Sequence, residues 1–409
     1  VIEDCDFLLI GGGVGAYNAA KRLRRKAPDA HIVMLSRDSM APYHLPPLSK
    51  EVIRGELRLE ELPYPSLESM GLRGIDLHLD AEVVELDPTA KVMQTRAGTS
   101  YRFDKALLAT GSSPVELALP GAHLDQVFYL RSAADAAGIA RQARSARSAV
   151  VVGAGFIGVE LAASLQSVGV AVTLIEATDR IWPRLADAGL AAFVAARCEA
   201  EGIVLRMEQR VTAILGEDRV VGVQTASGDV IDCDFVCIGV GARPNTELAL
   251  RAGIACGNGI IVDEHMRTSS PDIFAIGDVA CYPDPYLGES HRAEHWGHAE
   301  YSGQIAAMNM LGQPTPYDFL NYVWSDVFDL HIEAAGHHQG YDRIIVRGAP
   351  ESHRFTHLYL RENRLIAYTS INGDQGEFPA YRRLIKARKS IANPEQLADM
   401  NILARSLLA

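Results

Sequence analysis

No CxxC pair occurs in this chain: its 6 cysteines stand singly at 5, 198, 233, 237, 256 and 281, and residues 36 to 60 contain none. That excludes a dense disulfide framework and is the pattern of thiols kept reduced and inert in a core. Basic charge is in deficit, 39 Lys and Arg against 51 Asp and Glu, for a net charge of −12. Such a surface repels phosphate backbones, so nucleic acid is not an expected partner. Long apolar runs are missing too. The longest stretch without Asp, Glu, Lys or Arg, Tyr301 to Tyr317, holds Ser, Gln, Asn and two prolines, short of the ~20 apolar residues a membrane helix needs. The acidic start of the sequence has no basic signal-peptide region, and a cytoplasmic protein is expected. His295 and His298 lack the partner spacing of a metal site, so no metal is expected and a structural role is favoured for both. What is abundant is glycine, 35 of 409 residues, within globular proportions of 48% hydrophobic and 22% charged residues. That length predicts two to four domains.

The glycines concentrate in two places. Asp6 to Ala16 reads as a short buried strand, a glycine turn and the start of a helix that continues through Arg25. In this GxGxxA spacing Gly11 makes the tight turn, Gly13 lets a pyrophosphate approach the backbone, and Ala16 keeps the helix close to the sheet. The helix N-terminus then faces the phosphates. A second strand, His31 to Leu35, ends at Ser36-Arg37-Asp38, a carboxylate about where ribose hydroxyls need an acceptor. The pattern recurs from Ser148: a strand, then Gly153, Gly155 and Gly158, a helix, and a strand from Ala171 to Ile175 ending at Glu176. One such turn is weak evidence on its own. Two complete units imply two dinucleotides.

Each unit is closed by a further strand, Ala106 to Gly111 and Phe235 to Gly241, ending in small residues where the chain can cross. A third buried strand, Asp272 to Ile276, leads into Gly277-Asp278. The expected fold is α/β: two Rossmann-like dinucleotide-binding domains, the second inserted in the first, plus a small α+β C-terminal domain. Their expected extents are 1–110 with 242–321, 111–241, and 322–409. Asp278 then reaches the first domain's own cofactor, or caps a helix. In the last domain, Tyr322 to Asp326, Leu330 to Ala335, Asp342 to Arg347, His357 to Arg361 and Arg364 to Ile371 read as antiparallel strands. Arg361 to Arg364 reads as a hairpin turn, and Tyr381 to Ile391 and Glu395 to Leu408 as helices. The Pro-rich segment Met40 to Lys50 should be an ordered loop.

Two dinucleotides in one enzyme most simply mean NAD passing hydride to a second redox cofactor, FAD being the usual candidate. Without a thiol relay the flavin should deliver electrons directly. Here the chain resembles the oxygenase-coupled NADH:ferredoxin reductases, relatives of putidaredoxin reductase, rubredoxin reductases and apoptosis-inducing factor. The resemblance spans essentially the whole chain. It is carried by Gly11 to Ala16, His44-Leu-Pro-Pro-Leu-Ser-Lys50, Ala109-Thr110-Gly111, Gly153 to Glu160, Ile276-Gly277-Asp278, Arg292-Ala-Glu-His-Trp296 and Trp324-Ser-Asp326.

The resemblance implies FAD on the first unit, held by Gly11, Gly13, Val14, Gly15, Ala16, Arg37, Asp38, Ala109, Thr110, Gly111 and Gly277. Asp278 would sit on the ribityl chain, with Val83, Lys50 and Arg131 nearby. Glu294, His295 and Trp296 would start a helix aimed at the flavin pyrimidine edge, and Trp324 would cover the ring, an ordinary core tryptophan being the competing reading. NADH would take Gly153, Gly155, Phe156, Ile157, Gly158, Glu160, Glu176 and Gly241. Lys50 and Glu160 would form the catalytic pair beside the isoalloxazine and orient the nicotinamide. Three positions depart from the family's usual residues: Arg37 replaces an acid, Val115 an Arg and Val327 a Gln. Glu176 favours NADH by accepting from the 2′-OH, while Arg180 and Arg184 leave NADPH open.

The implied partner is an acidic [2Fe-2S] ferredoxin serving a mono- or dioxygenase. Arg382, Arg383, Lys386, Arg388 and Lys389 concentrate positive charge on one expected helix, and Arg22, Arg24, Arg25 and Lys26 on another; each is a docking patch or merely a solvated face. Two other functions stay open, reduction of a quinone or monodehydroascorbate-like acceptor, and an NADH-responsive flavoprotein like apoptosis-inducing factor. The sequence leaves the oligomeric state unresolved.

Overall fold

The computed structural model of the chain describes residues 2–66, 69, 73–183, 185 and 187–408. Its backbone contacts gather into two units: Val1–His44, Leu62–Ser113 and Arg243–Asn321 form the first, and Leu45–Glu61, Pro114–Ala242 and Tyr322–Ala409 the second.

In the first unit the strand Ile2–Ile10 lies inside a parallel sheet, with Ile32–Leu35 and then Ile75–His78 on one side, and Ser100–Leu108 and then Ile273–Ala275 on the other. Leu8 stands opposite Val33 and Ala106. Parallel strands covered on both faces read as unbroken apolar runs, and Leu8, Leu9, Val33, Met34 and Leu107 are accordingly buried. An antiparallel hairpin, Val83–Asp87 with Val92–Thr95, adds to the same sheet. The strand Ile273–Ala275 completes a sheet begun at residue 2, so the second nucleotide unit is an insertion into the first. Helices Val14–Lys26 and Trp296–Met310 cross at glycines: a Cβ on Gly303 would lie 2.2 Å from the Gly15 carbonyl oxygen, and one on Gly15 2.8 Å from Ile276 Cδ1.

The second unit repeats the order of the first four strands, Val204–Arg206, Ala171–Ile175, Ser148–Val152 and Phe235–Ile238, and Val127–Tyr129, which precedes them in the chain, completes the parallel sheet. A three-stranded antiparallel sheet, Val211–Gly216, Val220–Thr225 and Val230–Asp232, follows. Its C-terminal part is a five-stranded antiparallel sheet ordered Tyr322–Val327, Leu330–Gly336, Arg364–Ile371, Arg354–Arg361, Arg343–Ala349. The hairpin at Arg361–Arg364 turns through Glu362 and Asn363 at φ 51° and 59°, both left-handed as a two-residue turn of this hand requires.

The C-terminal helices differ from expectation. One runs over Phe378–Ala387, starting where Pro379 fits its first turn and ending at Arg388 with φ 52°, which no helix can continue through. Residues 395–408 form short 3₁₀ turns, Pro394–Leu397 and Ala404–Leu408, in place of a helix. The buried Arg347 guanidinium anchors this tail: it pairs with Glu377 at 2.6 Å and donates to the carbonyls of Leu397, Asp399 and Ile402. Among the described residues no helix is long and apolar enough to cross a membrane.

Candidate functional site

The two glycine turns have the same internal logic. Gly11, at φ 129°, and Gly153, at φ 100°, take up left-handed backbone where the strand breaks, and a Cβ there would meet the carbonyl oxygen of Ala109 at 2.2 Å or of Gly239 at 2.4 Å. A Cβ on Gly158 would lie 1.9 Å from the Gly153 carbonyl oxygen, so this glycine permits helix and turn to touch. At the middle glycines the situation reverses: a Cβ on Gly13 or Gly155 would meet nothing within 4 Å. These same residues are the N-caps of helices Val14–Lys26 and Phe156–Ser167, and neither helix has a side-chain cap. Helices Ala133–Ala143 and Ala188–Ala200, by contrast, are capped by Ser132 and Asp187. Free helix N–H groups facing open space suit a pyrophosphate, so both turns fit a dinucleotide.

Around the first turn, Asp38 accepts from Met40 N–H and from Tyr43 OH at 3.1 Å, while Arg37 is exposed. Thr110 Oγ1 donates to the Asn245 carbonyl and Asn245 Nδ2 to the Thr110 carbonyl, both at 2.8 Å, with Ala109 and Gly111 on either side. Asp278, in the 3₁₀ turn Gly277–Val279, accepts from Ser112 Oγ at 2.8 Å, a partner that sequence reading missed. The N-cap of that turn is Ile276, without a side-chain cap bond. Val83 is half-buried at the start of its strand. Glu294 pairs with Arg292 at 2.6 Å, His295 is the N-cap of Trp296–Met310, and Trp296 Nε1 donates to Tyr64 OH at 2.9 Å. His298 is fully buried and its pKa is pushed down to about 4 by burial. The Gly277 carbonyl near Nε2 can only accept, so Nε2 carries the proton and Nδ1 accepts from Tyr317 OH at 2.6 Å. Both ring nitrogens are thereby used structurally.

In the second unit, Glu176 is committed to the turn itself, accepting from Ala154 N–H at 2.8 Å and from Thr178 N–H and Oγ1. Phe156 packs on Trp182 with ring centroids 4.8 Å apart, Ile157 is exposed, and Gly241 takes φ 127°. Arg180 pairs with Asp179 at 3.3 Å, and Arg184 lies outside the described residues. Arg131 N–H donates to Asp135, just ahead of the capping box at Ser132, and Trp324 stacks beside Tyr322.

The structure brings Lys50 and Glu160 together in this unit. Lys50 Nζ lies 3.4 Å from Glu160 Oε2, and both side chains are buried. Burial pushes the Glu160 carboxyl up from its usual range, opposed by the Lys50 charge and by hydrogen bonds from Ser49, Ser325 and Lys50. Both serines escaped sequence reading, although each stands inside a motif that drew attention. Asp326 and His331 pair across neighbouring strands at 2.6 Å. Burial would raise Asp326, but His331, Lys50 and Arg54 together hold it below the ordinary carboxylate range, and the bond to Asp326 raises His331.

Burial pushes Cys5, Cys198 and Cys233 up to about 12, and raises Cys237 further. Among the described residues no group of three His, Cys, Asp or Glu side chains could hold a metal ion. Both expected basic patches are smaller than anticipated. Arg388 and Lys389 lie past the end of the helix Phe378–Ala387, and Arg382 is tied to Glu333 and lies over the Tyr322 ring. Arg24 is buried, donating to the carbonyls of Ala27, Pro28 and Gly74.

Paired Rossmann units with uncapped glycine turns and a buried Lys–Glu pair define a two-nucleotide oxidoreductase. The pyridine nucleotide-disulphide oxidoreductase family matches residues 5–303, and the reductase C-terminal family residues 322–408. The chain belongs to the pyridine nucleotide-disulphide oxidoreductases, in the branch that carries this C-terminal module. It is 34% identical to the 5,5'-dehydrodivanillate O-demethylase ferredoxin reductase subunit of Sphingobium sp., over 90% of each chain. The solved ferredoxin reductase for the CYP199A2 system of Rhodopseudomonas palustris superposes with a TM-score of 0.94 at 30% identity, covering 99% of this chain and 100% of that one. The putidaredoxin reductase of a covalent complex with putidaredoxin does so with a TM-score of 0.93 at 28% identity, covering 98% of both chains. FAD and NAD(H) are the cofactors of these reductases.

Proposed function

We propose that this chain takes hydride from NADH and passes electrons singly to a [2Fe-2S] ferredoxin serving an oxygenase. The observation that carries the reading is the room left opposite two uncapped helix N-termini, at Gly13 and Gly155. FAD, when bound, supplies the conversion between a two-electron donor and one-electron acceptors. We assign it to residues 1–110 and 242–321 and NAD to 111–241, with 322–409 as the third domain. Gly13 and its helix N–H groups bind the FAD pyrophosphate, Asp38 accepts from its ribose, and Asp278 holds the ribityl chain with Ser112 fixing its carboxylate. Gly155 and its helix bind the NADH pyrophosphate; Glu176 rigidifies that turn and keeps a lone pair on Oε2 for the ribose. Lys50 and Glu160 orient the nicotinamide.

Relatives named for an O-demethylase and for the CYP199A2 system support an oxygenase as the final destination. Docking falls to the exposed side chains Arg383, Lys386, Arg388 and Lys389, where local positive charge stands against a chain of net charge −12. The test is steady-state turnover with an oxygenase-system [2Fe-2S] ferredoxin such as putidaredoxin, a quinone and a small dye. Ferredoxin should be the preferred acceptor. Arg383→Glu with Lys386→Glu should lower kcat/KM for ferredoxin at least about tenfold at low salt and leave the dye unaffected. Preference for the quinone would contradict the reading; an unchanged ferredoxin rate in the double variant would remove this patch alone.

A further inference from the structure

Glu160 lies within the helix Phe156–Ser167, and its two carboxylate oxygens are held from different parts of the second unit. Ser49 Oγ donates to Oε2 at 2.5 Å, with Lys50 Nζ 3.4 Å away, whereas Oε1 accepts from Ser325 Oγ at 2.7 Å. Ser49 is fixed in turn, because Ser164 Oγ donates to its carbonyl at 2.7 Å. Ser325 is fully buried on the strand Tyr322–Val327, the first of the C-terminal sheet. Successive residues of a strand face opposite ways, so Ser325 meets the helix while its neighbour Asp326 meets His331.

We infer that Ser325 is a positioning residue for hydride transfer, its hydroxyl holding Oε1 of Glu160 so that Oε2 is presented to Lys50. The inference rests on the reading of Lys50 and Glu160 as the pair that orients the nicotinamide. Rotation about the last bond of a glutamate is soft, so a carboxylate tethered by one oxygen can swing. Donors on both oxygens fix its plane. The same hydroxyl bears on charge. Burial favours the neutral acid, and Ser49, Lys50 and Ser325 oppose it, a donor to an ionised group being worth more than one to a neutral group. Charged groups on the elements packed against this cluster include Glu51 and Arg54, paired at 3.5 Å on the helix Glu51–Arg54, and the Asp326–His331 pair on the sheet. Deleting the Ser325 hydroxyl therefore moves Glu160 toward protonation. By this route the C-terminal module reaches the chemistry of the nucleotide-binding domain.

The test uses FAD-loaded Ser325→Ala and Ser325→Thr, mixed rapidly with NADH over a range of pH. In Ser325→Ala the acid limb of the flavin-reduction profile should move up by about one pH unit, with the rate near neutrality about tenfold lower. The infrared band of a protonated buried carboxyl, assigned by its loss in Glu160→Gln, should persist to correspondingly higher pH. Ser325→Thr should restore both. Coincident profiles and bands in folded Ser325→Ala, or a shift that threonine does not reverse, would overturn the inference. Glu160→Gln separates the two levels: parent-like hydride transfer there defeats the reading of the pair itself, whereas a slow Glu160→Gln beside a parent-like Ser325→Ala defeats only the role of Ser325.

Discussion

Replacing Lys50 with Met should slow flavin reduction by NADH about 100-fold, the scale of loss when reacting groups are misplaced by about an ångström. Methionine fills the volume of the lysine stem and removes the ammonium. Glu160 then stays buried with Ser49 and Ser325 but without its cation, and protonates. The protein still folds, because a neutral buried acid with two hydroxyl partners is satisfied. What it loses is a fixed charge pair against which the nicotinamide is oriented. Since Lys50 and Glu160 act as a unit, the Lys50→Met/Glu160→Gln double variant should be scarcely slower than either single one. Rapid mixing under anaerobic conditions reads the rate; a Lys50→Met enzyme within twofold of the parent would refute the role of the pair.

The second large effect separates binding from folding. Gly155→Val puts a branched side chain into space that no protein atom occupies, opposite uncapped N–H groups. Folding should be nearly unaffected and the Kd for NADH should rise about 100-fold, the loss expected when roughly 2.7 kcal/mol of phosphate contact is blocked. Gly158→Val, only three residues on, should behave in the opposite way. Its Cβ would lie 1.9 Å from a backbone oxygen, so the unit itself should lose stability. Equilibrium titration with NADH and thermal melting of both variants make the comparison; a Gly155→Val protein that binds NADH normally would show that the turn does not seat a pyrophosphate.

Local requirements of this kind are what sequence displays. A glycine needed for left-handed backbone at Gly11 or Gly153 cannot be replaced cheaply, and an apolar run such as Phe7 to Ile10 has few alternatives to a buried strand. The turn at Glu362 and Asn363 was likewise marked by residues flanked by alternating strands. Relations between distant segments were not visible. Nothing near Ser325 in the chain indicates that its hydroxyl finds a carboxylate 165 residues away, and nothing near Arg24 indicates that three backbone carbonyls will enclose its guanidinium. Helix ends were misjudged for a similar reason. Lys386 to Ile391 has helical composition, yet the left-handed Arg388 ends the helix where the tail turns back toward Arg347. The donors that Ala154 and Thr178 present to Glu176 were equally invisible in the sequence, which marks that residue only as a ribose acceptor.

Anaerobic titration of the FAD-loaded protein with NADH tests the central claim most directly. The flavin absorbance should bleach with one equivalent of NADH and return on addition of about two equivalents of oxidised ferredoxin, the ratio set by a hydride donor and a one-electron acceptor. A chain that retains no FAD after reconstitution, or a bound flavin that stays oxidised in excess NADH, would contradict it.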